Sequence, residues 1–212
     1  MHWLVISSFE REGGELTERM QALKLMKQFI AVAPMEFPFG FARSLVATSA
    51  QTGDGFRRVA IETLRELALA NSYLVACCNG MKVLVEAAVD PALHDAADSL
   101  LLSVLHLVSQ PSSRVNINMA LDLRTLLSAF TDMDATEGKE YRARLAAAKA
   151  AVITLMRTWV GIVHLTSDPL GLRVLVGLLR DNKVAPLVQD VVLDTLTELF
   201  APVVVKVSCI CN

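Results

Sequence analysis

An all-α chain arranged as a helical solenoid is what this sequence predicts, on three observations. A short apolar phrase recurs four times, two kinds of helix alternate around it, and the composition is aliphatic rather than aromatic. The phrases are FARSLVATSAQ (41–51), GMKVLVEAAVD (80–90), DLRTLLSAFTD (122–132) and GLRVLVGLLRD (171–181). Each places a Lys or Arg two residues before a Leu, and three of them end in Asp. The equivalent leucines, Leu45, Leu84, Leu126 and Leu175, stand 39, 42 and 49 residues apart, close to the period of about 40–47 residues of armadillo and HEAT units. The expected architecture is an armadillo/HEAT-like α-α superhelix of about four to five repeats, in which no unit buries its apolar faces alone and the core forms by stacking.

The elements follow in order. The opening stretch, MHWLVISSFEREGG (1–14), has an apolar patch but no basic n-region and no small-residue cleavage site, so it reads as an ill-defined lead-in and not as a secretory signal. From Glu15 to Ala33 the apolar residues Leu16, Met20, Leu23, Met26, Phe29 and Ile30 recur at three- to four-residue steps, which is an amphipathic helix. Pro34 ends it, and Pro38 opens the helix that holds the first phrase. The loop TGDG (52–55) closes that helix, with Asp54 placed to cap the next, which runs to about Ala70. A turn at Asn71 and Ser72, a short helix through Val75 to Cys78, and Gly80 as a helix stop lead into the second phrase. The long-helix segment ETLRELA (62–68) returns as DTLTELF (194–200), and LSVLHLV (102–108) fills the same place between them, so both kinds of helix repeat in a three-helix plan.

The longest interval is explained by TDMDATEGKEY (131–141), a polar stretch expected to be a surface insertion loop. Residues 142–165 are apolar and rich in alanine, expected as one long helix or as two joined near Trp159, Val160 and Gly161. After DTLTELF the next short helix and phrase do not come, and the tail VVVKVSCICN (203–212) is apolar where a terminal repeat carries a polar face. The expected organisation is therefore one repeat domain over 15–204 and an atypical tail over 205–212, in what reads as a piece of a longer chain.

Bulk properties narrow the function. Hydrophobic residues make up 53 % and aromatic ones only 6 %, which suits helices packed on two sides. With 20 Lys and Arg against 22 Asp and Glu, the formal charge is −2, too small a field to gather nucleic-acid phosphates. The strongest apolar runs fall short of the roughly 18 residues that a membrane span needs. Four cysteines, in the pairs Cys77–Cys78 and Cys209–Cys211, lack the spacing of a secreted disulfide framework, so reduced thiols and an intracellular location are expected.

No constellation for catalysis stands out. There is no G-x-S-x-G, no P-loop, no HExxH and no C-x2-C. His106 and His164 sit among aliphatic residues and read as core or half-buried histidines. Asp132, Asp134, Glu137 and Glu140 cluster without the ligand spacing of a calcium loop. No enzyme, metal or cofactor is expected. The candidate binding residues are the basic positions of the phrases, Arg43, Lys82, Arg124 and Arg173, which could form a ladder for an acidic segment or a phosphate; a row of solvated charges is the default. Trp159, beside Arg157 and Gly161, reads first as core packing, given its apolar neighbours Ile162, Val163 and Leu165, and otherwise as an exposed anchor for a partner.

Several stretches resemble one family. Residues 141–165, YRARLAAAKAAVITLMRTWVGIVHL, are similar to a segment of the Rictor (pianissimo) family in which a charged helix start leads into an R-S-W-x-G-I block; Arg157, Trp159, Gly161 and Ile162 match, with Thr158 in place of Ser. ALKLMKQFIAV (22–32), FPFGFARSLVA (37–47), the unit from ETLRELAL (62–69) to NGMKVLVEA (79–87), LRTLLSAFTD (123–132) and VVLDTLTELF (191–200) follow in the family's order. Departures are the first 15 residues, a shortened acidic insertion at 133–140 and the tail VKVSCICN. The resemblance implies the N-terminal armadillo-like region of a non-catalytic scaffold subunit of TOR complex 2, beside the TOR kinase with Sin1-like and Lst8-like subunits, contributing to substrate choice and rapamycin insensitivity. It implies a cytoplasmic protein that reaches the plasma membrane as part of a complex. A rival reading is an armadillo adaptor gripping an extended peptide, which predicts a ladder of Trp and Asn; only Trp3 and Trp159 are present.

Overall fold

The computed structural model describes residues 2–11, 16–131, 138–166, 172–181 and 183–201, and within its helices all side chains except those of residues 119–121, 123, 124, 160, 164 and 165. The described elements are helices α1 (His2–Glu10), α2 (Leu16–Val32), a 3-10 turn (Pro34–Glu36), α3 (Phe39–Ala50), α4 (Arg57–Ala70), α5 (Ser72–Cys77), α6 (Gly80–Ala88), a second 3-10 turn (Pro91–Ala96), α7 (Ala97–Ser109), α8 (Pro111–Arg114), α9 (Met119–Thr131), α10 (Lys139–Met156), α11 (Trp159–Thr166), α12 (Leu172–Arg180) and α13 (Pro186–Phe200). The described residues are thus all-α, without a strand.

The four phrases lie on α3, α6, α9 and α12, and their leucines Leu45, Leu84, Leu126 and Leu175 are all buried. These helices pack in succession, α3 on α6, α6 on α9 and α9 on α12. The longer helices form a second succession, α2 on α4, α4 on α7, α7 on α10 and α10 on α13, while α5 packs on α8. The interval of the phrases sets this arrangement, because each returns one apolar stripe to the same side of the next helix. One core runs from Phe9 on α1 to Leu196 on α13.

Local chemistry fixes the joints. Pro38 precedes α3 with φ −65° and ψ 133°, the extended setting that its ring favours before a helix. Asn71 accepts a bond from the Leu74 amide at 3.1 Å and donates to the Pro34 carbonyl at 2.9 Å, so one side chain caps α5 and ties it to the preceding 3-10 turn. Asp54 accepts from the Phe56 amide at 2.7 Å and from Arg19 at 2.6 Å; it stabilises the turn before α4, although the helix itself starts at Arg57.

Four expectations change. The N-terminal stretch is not an ill-defined lead-in over residues 2–10: α1 packs on α2 and α3, with Phe9 fully buried, and Arg19 reaches back to the Phe9 carbonyl at 2.9 Å. The left-handed residue before α6 is Asn79, with φ 58°, and Gly80 is the first residue of the helix. Glycine is required at 80 by close approach, since a Cβ there would stand 2.4 Å from Val75 Cγ1. The polar stretch of 131–141 has helix at both feet, because α9 runs through Thr131 and α10 starts at Lys139; residues 132–137, with Asp132, Asp134 and Glu137, lie outside the described residues, as does the tail 202–212.

The fourth change concerns Trp159. The chain breaks at Arg157 and Thr158, where the Thr158 hydroxyl donates to the Leu155 carbonyl at 2.6 Å and accepts from the Gly161 amide at 3.1 Å. This turns α11 away from the buried face of α10, and Trp159, its first residue, is 78 % exposed. Apolar neighbours in sequence could not reveal that rotation. Gly161 makes the joint feasible, as a Cβ there would fall 1.9 Å from the Leu155 carbonyl oxygen.

Candidate interaction surface

The phrase helices pack in succession and carry one basic residue each, a row by helix order. Arg43 on α3, Lys82 on α6 and Arg173 on α12 are exposed, while the side chain of Arg124 on α9 lies outside the described residues. Each precedes a buried leucine by two residues, which holds the backbone of all four in the same register. The row is not purely positive. Lys82 Nζ stands 3.8 Å from Glu86 on its own helix, and the same lysine faces Asp122 of α9, only 7 % exposed. Burial pushes the Asp122 carboxyl up to about 6, against the pull of Lys82 and with a push from Glu86.

Trp159 stands apart from this row, on α11, which packs against α9, α10 and α12. Ile162 and Val163 are exposed beside it at the i+3 and i+4 positions, an apolar strip along one side of a short helix. Arg157, just ahead, pairs loosely with Glu198 of α13 at 3.8 Å. A rigid aromatic next to aliphatic side chains is the composition that partner proteins use as an anchor.

Charge elsewhere joins helices. Lys27 of α2 meets Glu66 of α4 at 3.3 Å, and Lys149 of α10 meets Asp194 and Glu198 of α13 at 3.2 and 3.4 Å. Arg58 of α4 pairs with Asp95 ahead of α7. The least exposed of the later pairs is Arg57–Asp90, at 2.5 Å, in which Arg57 also donates to the Ser49 carbonyl at 3.2 Å. Asp90, the closing residue of the second phrase, in turn accepts from the Ala92 amide at 2.9 Å. The phrase-final Asp was visible in the sequence, but its guanidinium partner, 33 residues earlier, was not.

Two of the hollows among the described residues bear on these elements. One of about 390 Å³ lies where α3, α6 and α9 come together, with Ser49, Arg57, Glu86, Asp90, Ser128 and Arg144 on its walls. Its two guanidiniums and two carboxylates balance, so it offers hydrogen bonds without net charge. The other, of about 460 Å³, is an apolar groove between α1 and α2, lined by Leu4, Val5, Ala22 and Leu25 among others. Neither places a nucleophile beside a base. His106 is half-buried on α7, and the His164 side chain lies outside the described residues. Among the described residues no group of three His, Cys, Asp or Glu could hold a metal ion, and no helix is long and apolar enough to cross a membrane. Cys77 and Cys78 are free thiols; burial, reinforced by Cys77 and opposed by Arg43, pushes the Cys78 thiol up to about 11.

Comparison with known proteins agrees with the arrangement of helices. The family model described as "Rapamycin-insensitive companion of mTOR, N-term" matches residues 1–208, so the match includes α1. Protein pianissimo A of Dictyostelium discoideum is 29 % identical over 221 aligned residues, which take in 94 % of this chain and 19 % of that protein. The rapamycin-insensitive companion of mTOR of Mus musculus is 31 % identical over 190 residues, 84 % of this chain and 11 % of the relative. The target of rapamycin complex 2 subunit ste20 of Schizosaccharomyces pombe is 28 % identical over 80 % of this chain and 14 % of its own length. The chain thus spans less than a fifth of the curated relatives it matches. With a family model covering nearly its whole length and relatives aligned along most of it, the chain belongs to the Rictor family, in the N-terminal region of that family.

Proposed function

We propose that the chain is a non-catalytic scaffold region of a TOR complex 2 subunit, an armadillo-like solenoid that holds protein partners on a broad surface. The observation that carries this reading is the family match over residues 1–208, joined to relatives named as TOR complex 2 subunits. The two successions of packed helices support the solenoid, because stacking each unit on the last is how such repeats obtain a core. About four to five units of the armadillo plan, over 15–204 with α1 as a cap and an insertion near 131–141, account for the helix order.

In this reading the chain meets the TOR kinase, with Sin1-like and Lst8-like subunits beside it, in the cytoplasm and at the plasma membrane through the complex. The contact residues are the basic row Arg43, Lys82, Arg124 and Arg173, which suits an acidic segment, and Trp159 with its aliphatic neighbours as the apolar anchor. The exposure of Arg43, Lys82, Arg173 and Trp159 supports this, since a charge or an indole in the open costs little to carry and can be covered by a partner.

Co-expression of the tagged chain with the TOR kinase and the two accessory subunits tests the proposal. Capture of the kinase together with both subunits is expected, with W159A and the double reversal R43E/R173E each lowering recovery at least several-fold. A folded chain that recovers none of the three, or variants that capture them as well as the parent, refutes the assigned contacts.

A further inference from the structure

The four links that carry the chain from a long helix to a phrase helix each lift one large apolar side chain into the open. Met35 in the first 3-10 turn, Tyr73 on α5 and Trp159 on α11 each stand three residues beyond the end of a long helix, and they are 76, 53 and 78 % exposed. In the remaining link Ser112 holds that place, and the apolar residue comes one turn later as Val115, 85 % exposed. The inner sides of the same links are covered, with Phe37, Val75 and Ser113 buried. The first three links adjoin one another, because Asn71 of the α5 cap donates to the Pro34 carbonyl and α5 packs on α8. Further units lie on either side of α5 and α8, so the exposure of Tyr73 and Val115 belongs to the edge of the solenoid and not to its ends.

Spacing and charge select the occupant. Helices packed in succession lie about 10 Å apart, and the links at their ends inherit that interval. A helix laid along the edge covers about 10 Å in about seven residues, and seven residues return a side chain to the same face within about 20°. An extended strand covers it in about three residues, and an odd step turns alternate side chains to the opposite face. Glu36, beside Met35, and Arg114, beside Val115, are exposed, and among the described residues neither belongs to an ion pair. We propose that this edge seats an amphipathic helix of a partner chain, apolar at about every seventh residue, with a cation over Glu36 and a carboxylate over Arg114. The proposal deepens the reading of Trp159 as an anchor, and it rests on that reading at the fourth rung only.

Photo-cross-linking reads the spacing directly. p-Benzoylphenylalanine is placed singly at positions 35, 73, 115 and 159 of the tagged chain, in cells that also express the TOR kinase and the two accessory subunits, and the cross-linked residues are located by mass spectrometry. The expected result is one partner segment marked from all four positions, with the marks about seven residues apart from one rung to the next. Y73D and V115D, both at exposed positions, should each lower recovery of that partner at least tenfold with helix content unchanged, and E36K and R114E several-fold. A helix marked at that interval on a protein outside TOR complex 2 upholds this proposal while refuting the assembly proposed above. Marks about three residues apart, which mean an extended segment, marks on a second copy of this chain or scattered over several segments, or no marks from positions 73 and 115 overturn it. So does a partner that Y73D and V115D recover as well as the parent does.

Discussion

Replacing three helical glycines by alanine, one at a time, should give three different outcomes from one chemical change. At Gly161 the new methyl carbon would lie 1.9 Å from the Leu155 carbonyl oxygen and 2.5 Å from its carbon. Both are backbone atoms, so no side chain can swing aside, and the α10–α11 joint must open by about 1.5 Å to reach an ordinary contact. That motion strains or breaks the two hydrogen bonds of Thr158, at 2.6 and 3.1 Å, each worth about 1 kcal/mol. Overpacking adds about 1–3 kcal/mol, and the better helix propensity of alanine returns about 1. The net loss is about 2–4 kcal/mol, a large share of the roughly 5–15 kcal/mol that holds a domain together. At Gly80 the clash is with Val75 Cγ1 at 2.4 Å, a side-chain atom that can rotate, so the loss should be about 0–2 kcal/mol. At Gly177 nothing lies within 4 Å, and alanine should stabilise α12 by up to about 1 kcal/mol. Urea unfolding followed by circular dichroism gives all three values, provided the m-values agree. A G161A protein within about 0.5 kcal/mol of the parent, or a destabilised G177A, would falsify the close-approach account.

Two further outcomes follow from the electrostatics. The folded Asp122 carboxyl, at about 6, lies above its unfolded value of about 3.9, so the folded state holds that proton more tightly. Its contribution is fully present below about pH 4 and is lost as pH rises through 6, by up to about 3 kcal/mol; D122N should therefore outlast the parent in urea at pH 7.5 and match it near pH 4, and equal stability at both values refutes this. The Arg57–Asp90 pair, with side chains 14 % and 21 % exposed, should show a coupling of about 1–2 kcal/mol in a double-mutant cycle of R57A and D90A, and a coupling below about 0.3 kcal/mol means that the pair is ornamental.

Much of the helix plan was legible in the residues because it depends on local period. Leu45, Leu84, Leu126 and Leu175 mark buried stripes in the sequence and in the fold alike, and Pro34 and Pro38 punctuate the chain where a missing amide and a fixed φ must act. What failed was information carried by a third body. Nothing near Phe9 in sequence announces that Arg19 will reach it, with the guanidinium 5.8 Å from the Phe9 ring centre and 4.5 Å from that of Phe56. Trp159 was misjudged for the same reason, since the turn at Thr158 decides which way α11 faces and depends on the carbonyl of Leu155. Gly80 and Asn79 were transposed because both tolerate the left-handed region, and only the crowding at Val75 decides between them. For the surface, the basic row could be listed from the sequence, but not the carboxylates of Glu86 and Asp122 that interrupt it.

The hydroxyl of Tyr141 donates to the Ala129 carbonyl at 3.2 Å, so α9 and α10 are stapled together inside the feet of the polar insertion. That bond lies on the helix side of both Thr131 and Gly138, so it does not depend on the length of chain that joins them, and doubling the length of a loop costs only about 0.6 kcal/mol of closure entropy. That makes the insertion a natural socket for a fluorophore or an epitope. A probe seated there would ride on the scaffold while both helix successions stayed available to whatever the chain assembles with.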